Sequence, residues 1–227
     1  MIGAAQLLNE AAAVLLDFDG PVTPLMPAPA NLRAADTARH ALMAHGVNPP
    51  GDIATTADHL AISRWAGTHA PDALRDVDDA CTIAEMDSAR TCEPTPGAHV
   101  LLAALRAART PVVIVSNNDA SAIYLYLDRH GLRGHVRDVV GRPLWRPDLM
   151  KPHPQSVQRA LGIAGVAAQG AVLIGDSVSD IEVARATGVR SIGYAKSQQR
   201  GLELREAGAD TITDSMISLI PGAQSER

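Results

Sequence analysis

Three short stretches of the chain are apolar without interruption and stop abruptly on polar residues: 11–16 before Asp17, 111–115 before Ser116, and 171–174 before Gly175 and Asp176. Apolar runs of this length with no alternation fit strands covered on both faces, as in parallel sheets whose crossovers are helices. Each run is followed by a stretch with helical spacing. Three βα units are therefore predicted, carrying Asp17, Ser116 and Asp176 to one C-terminal rim. Open α/β sheets bind their ligands at that rim.

Between the first two runs the pattern changes. The proline-rich stretch from Gly20 to Pro29 reads as an irregular loop, and 31–45 as a helix with Asn31 as its N-cap and Gly46 as its stop. Pro49-Pro50-Gly51 breaks the chain, and two more helices are predicted over 53–66 and 72–90. Residues 26–92 are thus expected to form a small all-helical domain, inserted into an α/β core made of 1–25 and 93–227. In that core the pattern predicts a helix ending near Ala108, another over 120–130, a short strand within 135–140 and a proline-broken loop over 142–150. Helices over 154–161, 180–187 and 200–207 follow, with a strand at 191–192 and a short terminal strand and helix. The fold class is α/β: a doubly wound, Rossmann-like parallel sheet with a helical cap after the first strand.

Composition supports this. With 227 residues and 46% hydrophobic content the chain can bury one full core and a small insert. A net charge of −5 without clustered Lys or Arg argues against a nucleic-acid partner. The first ten residues lack the basic start and apolar centre of a signal peptide, and no apolar run approaches membrane-spanning length, so a cytoplasmic location and no membrane partner are expected. Cys81 and Cys92 are the only cysteines; no disulfide is expected between them, and no zinc-type spacing is present. No repeat or low-complexity tract appears, and no tail beyond the last few residues is expected to stay unfolded.

Four stretches carry the chemistry: Asp17-Phe18-Asp19-Gly20, Ser116-Asn117-Asn118, Lys151-Pro152 and Gly175-Asp176-Ser177-Val178-Ser179-Asp180. Taken singly, three have ordinary structural readings. Ser177 with Asp180 can form a capping box, Ser116 to Asp119 can cap a helix, and Lys151 can be a solvated loop lysine. Two acids closing a buried strand are different, because their burial demands compensating cations or donors. In this order the four stretches resemble the motifs of the haloacid dehalogenase superfamily of phosphohydrolases. The resemblance covers about residues 11–195, and the helical insert resembles the cap of the phosphoglycolate phosphatase and β-phosphoglucomutase branch.

The resemblance implies a Mg²⁺-dependent phosphatase acting on a small phosphorylated metabolite through an aspartyl phosphate on Asp17. Asp19 would protonate the leaving alkoxide and then activate water. Lys151, Ser116 and Asn117, with neighbouring backbone N–H groups, would hold the phosphoryl oxygens. Mg²⁺ would sit on Asp17, the Asp19 backbone carbonyl and Asp176, supported by Asp180. Dehalogenating relatives generally lack an acid at the place of Asp19, which favours phosphoryl transfer.

One departure stands out: the family usually has threonine or valine after Asp19-Gly20, and this chain has Pro21. Proline removes an N–H and fixes φ, so a reshaped Asp19 loop is expected. A phosphomutase of the same family is one alternative reading, and a catalytically degenerate module binding a phospholigand or a partner is another. His40, His59, Arg64, Trp65, His69 and Arg90 are the residues of the insert considered for facing a substrate. Trp65 and Trp145 are expected to pack against neighbouring side chains rather than to stack on a base or sugar. The molecule is expected to be a monomer or homodimer.

Overall fold

The computed structural model describes residues 2–220. Met1 and residues 221–227, which end the expected core segments and include the expected tail, lie outside the described residues.

Among the described residues, a helix, α1 (Ala4–Asn9), is followed by six strands: β1 (Ala13–Leu16), β2 (Val112–Val115), β3 (Asp138–Val140), β4 (Ala171–Gly175), β5 (Arg190–Tyr194) and β6 (Thr211–Thr213). All pair in parallel, in the order β3-β2-β1-β4-β5-β6. The chain winds outward in one direction from β1 through β2 and in the other through β4, so the switch point lies at the centre of the sheet.

Alternate residues of the same strands feed two separate cores. Val14, Leu16, Ile114, Val172 and Ile174 face α6 (Ala98–Ala107) and α7 (Ala120–Arg129), packing on Leu101, Leu102, Tyr126 and Leu127. Ala13, Leu15, Val113, Val115 and Leu173 face α8 (Gln155–Ala164) and α9 (Val178–Thr187), packing on Val157, Ala160, Val183 and Ala184. Burial on both faces explains the unbroken apolar runs. A last helix, α10 (Gln198–Glu206), places Leu204 against Ile181 and Ala195.

Between β1 and α6 lie α2 (Ala30–Ala44), α3 (Gly51–Thr55), α4 (His59–His69) and α5 (Leu74–Ala89). They bury a cluster of their own, including Ala35, Ala38, Leu42, Ile62, Ala66, Val77 and Cys81, whose many alanines allow close helix approach. The far end of α5 joins the sheet's core through Ala89.

Several local expectations are corrected. Asn31 is not the N-cap of α2: the helix starts at Ala30 behind Pro29, which has no N–H to leave unsatisfied, and Asn31 lies inside the first turn. Gly46, at φ +73°, does follow the helix end. The helix expected over 53–66 is two, because Asp58 starts a new one by accepting from Leu60 N at 2.9 Å. Of 135–140, His135 ends a 3-10 turn, Arg133–His135, and the strand begins only at Asp138. Cys81 and Cys92 are buried free thiols. None of the described helices is long and apolar enough to cross a membrane.

Candidate active site

Because β1 is paired on both sides, Leu16 lies opposite Ile114 of β2 and Ile174 of β4. The residues just beyond therefore emerge side by side, and Asp17 N still donates to Ile174 O at 2.9 Å. Asp17, Ser116 and Asp176 share one rim for this reason.

Lys151 reaches that rim from the loop after β3. Its backbone is gripped by the Asn117 side chain: Lys151 N donates to Asn117 Oδ1 at 2.7 Å and Asn117 Nδ2 donates to Lys151 O at 3.2 Å. The Lys151 Nζ donates to Asp17 Oδ1 at 2.9 Å, Val115 O at 2.8 Å and Asp180 Oδ1 at 2.5 Å. The other Asp180 oxygen accepts from Ser177 N at 3.1 Å and Ser177 Oγ at 2.6 Å, within a capping box that starts α9. One carboxylate thus serves the helix cap and the Lys151 ammonium together.

Burial pushes the Asp17 carboxyl well above the ordinary aspartate range, and repulsion from Asp180 adds to it against the pull of Lys151. Burial, then Asp180 and Asp19, raise Asp176 to about 7. Burial also raises Asp19, although backbone N–H groups at Leu25 and Met26 oppose the shift. Burial alone would strip the Lys151 proton, but Asp17 and Asp180 outweigh it and hold the side chain as the ammonium. Oxygens of Asp17, Asp176 and Asp180 lie within 4.8 Å of one another. A cluster of carboxylates facing one ammonium suits a hard divalent cation with oxygen ligands. Gly20 contributes space: at φ +107°, a Cβ there would lie 2.0 Å from Asp176 Oδ2, so only glycine lets that carboxylate rest over the Asp19-Gly20 backbone. This donor set and this cradle fit Mg²⁺.

The loop bearing Pro21 closes without the amide that proline lacks. Val22 N and Thr23 N both donate to Phe18 O, and Gly20 N donates to Thr23 O at 2.8 Å. Thr95 Oγ1 donates to Gly20 O at 2.6 Å, and Leu25 N donates to Asp19 Oδ1 at 2.8 Å.

Asp17, Asp19, Ser116, Asn117, Lys151 and Asp176 line a cavity of about 300 Å³. Met26, Ala57, His59 and Leu60 line it from the helical side. Of the six residues of the insert considered for a substrate role, only His59 lines it. Trp65 stacks on His69 at 5.0 Å, Arg90 pairs with Asp87 on the surface, and Arg64 lines a neighbouring cleft with Trp145. Trp145 is 41% exposed and packs against the Arg75 guanidinium, 4.2 Å from its ring centroid. A larger cleft of about 930 Å³ beside β5 and β6 holds none of the rim carboxylates, and we assign the chemistry to the smaller cavity.

Sequence reasoning missed a buried polar cluster next to this cavity. Arg142, after β3, donates from Nε to Asp78 Oδ1 at 2.8 Å and from Nη1 to Glu85 Oε1 at 2.7 Å. Glu85 Oε1 also accepts from His59 Nε2 at 2.9 Å and Asn118 Nδ2 at 3.1 Å, and Glu85 Oε2 accepts from Asp119 N at 2.7 Å. Burial would raise the Glu85 carboxyl, yet Arg142 and His59 hold it down at about 2. The signal was present in the sequence: Asp78 and Glu85 fall at helical spacing on the same stripe as Val77 and Cys81, where two acids need partners.

The family model described as haloacid dehalogenase-like hydrolase matches residues 54–194. The phosphoglycolate phosphatase of Nitrosococcus oceani is 30% identical over 124 residues, 55% of this chain and 54% of that protein. The phosphoglycolate phosphatase of Rhodospirillum rubrum is 28% identical over 183 residues, 79% of this chain and 67% of that protein. The chain thus spans about half the length of the first relative and two thirds of the second. A solved hydrolase from Pseudomonas syringae superposes with a TM-score of 0.69 at 19% identity, covering 92% of this chain and 94% of the other.

Proposed function

The chain belongs to the haloacid dehalogenase-like hydrolases, and from that premise we propose that it is a cytoplasmic, Mg²⁺-dependent phosphatase of a small phosphorylated metabolite. The observation that carries the reading is the placement of Asp17 and Asp19 beside Lys151 and Asp176 at a cavity of about 300 Å³, the small end of the range for ligand sites. The similarity to two phosphoglycolate phosphatases makes 2-phosphoglycolate the first ester to try.

In this reading an Asp17 oxygen attacks phosphorus as the bond to the leaving alkoxide breaks, and Asp19 gives the alkoxide its proton. Burial raises the Asp19 carboxyl, which suits a group that must hold a proton before donating it. Asp19 then takes a proton from water, whose oxygen attacks the phosphorus, freeing phosphate and regenerating Asp17. Lys151 keeps Asp17 aligned and offsets the charge that builds on the transferring group. Asn117 holds Lys151 by its backbone, so its own contribution to phosphate would come from its N–H. Mg²⁺ held by Asp17, Asp176 and the Asp19 carbonyl would supply the positive charge that lets a dianion approach a carboxylate. We further propose that α2 to α5 act as the cap that shields this chemistry from water.

The test is phosphate release from 2-phosphoglycolate and a panel of phosphorylated metabolites, with Mg²⁺, with EDTA, and in Asp17→Asn. Release that needs Mg²⁺ and disappears in Asp17→Asn is expected. Release that survives either change overturns the mechanism. Conversion of a phosphosugar to its isomer without release would identify a mutase instead, and no turnover at all would leave a binding module.

A further inference from the structure

Ser116 has been assigned to the phosphate site, but its hydroxyl is already engaged. Ser116 Oγ donates to Asn118 Oδ1 at 3.1 Å and accepts from Asn118 N at 3.2 Å. The direction of the first bond depends on which way round the Asn118 amide sits. Asn118 Nδ2 faces Glu85 Oε1 at 3.1 Å, and a carboxylate flanked by Arg142 at 2.7 Å is an acceptor only. Asn118 must therefore turn its nitrogen toward Glu85 and its oxygen toward Ser116. The other Glu85 oxygen takes Asp119 N at 2.7 Å, just ahead of the first turn of α7. One carboxylate on a helix of the insert thus fixes both the end of the loop after β2 and the orientation of its side chains.

We propose that Glu85 is a positioning residue of the phosphate cavity: its carboxylate sets the 116–119 loop through Asn118 and Asp119 N, and sets the His59 ring on the helical side of the same cavity. His59 Nε2 is committed to Glu85 at 2.9 Å, which leaves its other ring nitrogen without a partner among the described residues, in a residue that lines the cavity. The helical side and the sheet side of the site are registered on one side chain. Glu85 itself does not line the cavity; it acts through its neighbours. This rests on the phosphatase reading insofar as the loop binds a phosphoryl group.

Glu85→Gln keeps the volume and removes the charge that dictates the Asn118 orientation, while Arg142 retains Asp78, Thr82 Oγ1 and Asn117 O. Asn118→Ala cuts the relay and leaves Glu85 bonded to Arg142 and Asp119. Both single variants and the double variant are compared with wild type by calorimetric binding of inorganic phosphate in Mg²⁺, by kcat and KM on p-nitrophenyl phosphate, and by hydrogen exchange at 116–119. Each single variant is expected to weaken phosphate binding about tenfold per folded molecule and to raise exchange at those amides, and the double variant to be no worse than the worse single one. Wild-type phosphate affinity in Glu85→Gln, whatever its stability, overturns the proposal, as do single effects that multiply in the double variant. If Glu85→Gln does not fold, Asn118→Ala decides: a tenfold loss supports the relay and wild-type affinity ends it. Phosphate binding and exchange need no turnover. A wild-type protein that hydrolyses no ester therefore retracts the phosphatase reading while the loop measurements still judge Glu85.

Discussion

Lys151 is the residue on which the site's charges converge. Its ammonium is 2.9 Å from Asp17 and 2.5 Å from Asp180, and both carboxylates are buried. Lys151→Met would leave those two acids facing each other without a cation, and removing one member of such a buried set costs about 3–5 kcal/mol. Urea unfolding should show that loss, together with a fall in phosphate release of at least about 10³-fold. Lys151→Arg should restore neither, because a planar fork cannot aim three donors at the points one ammonium serves. Asp176 provides a second test. Mg²⁺ at about a hundred times its Kd should stabilise the wild type by about 2.7 kcal/mol. A thermal melt of Asp176→Asn should lose that gain, and an undiminished Mg²⁺ shift would remove Asp176 from the ion's ligands. The gathering of Asp17 and Asp176 at one rim was legible in the sequence because strand ends confine where such residues can stand, whereas Lys151, in a loop with no such constraint, stood out only through the family resemblance. The use of the Asn117 side chain was not legible, since its partner is 34 residues further on and is a backbone rather than a side chain.

At the scale of elements, the loop from Phe18 to Leu25 shows how the amides around a proline can close a turn. The loop bearing Pro21 closes through amides of Gly20, Val22, Thr23 and Leu25, and asks nothing of residue 21. Pro21→Thr, the residue more usual in the family, should therefore change kcat/KM less than about threefold. It should lower stability by about 0.4–1 kcal/mol by freeing the unfolded chain. A large gain in activity would show instead that proline holds Asp19 out of place. The strands were readable because burial on both faces leaves an unbroken apolar run. Helix ends in the insert were less readable: Thr56-Ala57-Asp58 looks like helix interior, and only the Asp58 cap reveals the restart. The six-residue α1 has neither a cap nor an amphipathic period long enough to detect.

At the scale of the whole molecule, the sheet and the helical layer meet through charge as well as through apolar contact, and that charge has a pH signature. Glu85 ordinarily titrates at 4.5, but in the folded protein burial, which would raise it, is outweighed by Arg142 and His59, and it titrates at about 2. The folded state therefore prefers the ionised carboxylate. Its stabilisation is complete above pH 4.5 and is lost as pH falls from there toward 2, when the folded protein must at last take up the proton. A depression of this size corresponds to about 3 kcal/mol. Arg142 and Asp78 lie in the same cluster, so wild type is best compared with Glu85→Gln across pH, which cancels titrations the two proteins share. Wild type should be the more stable by about 3 kcal/mol at pH 7 by urea unfolding, and the gap should close between pH 4.5 and 2. A gap that stayed constant through that window would mean that Glu85 stabilises by packing alone. The insert and the core would then be joined by shape, with no carboxylate charge holding α5 to the loop after β2.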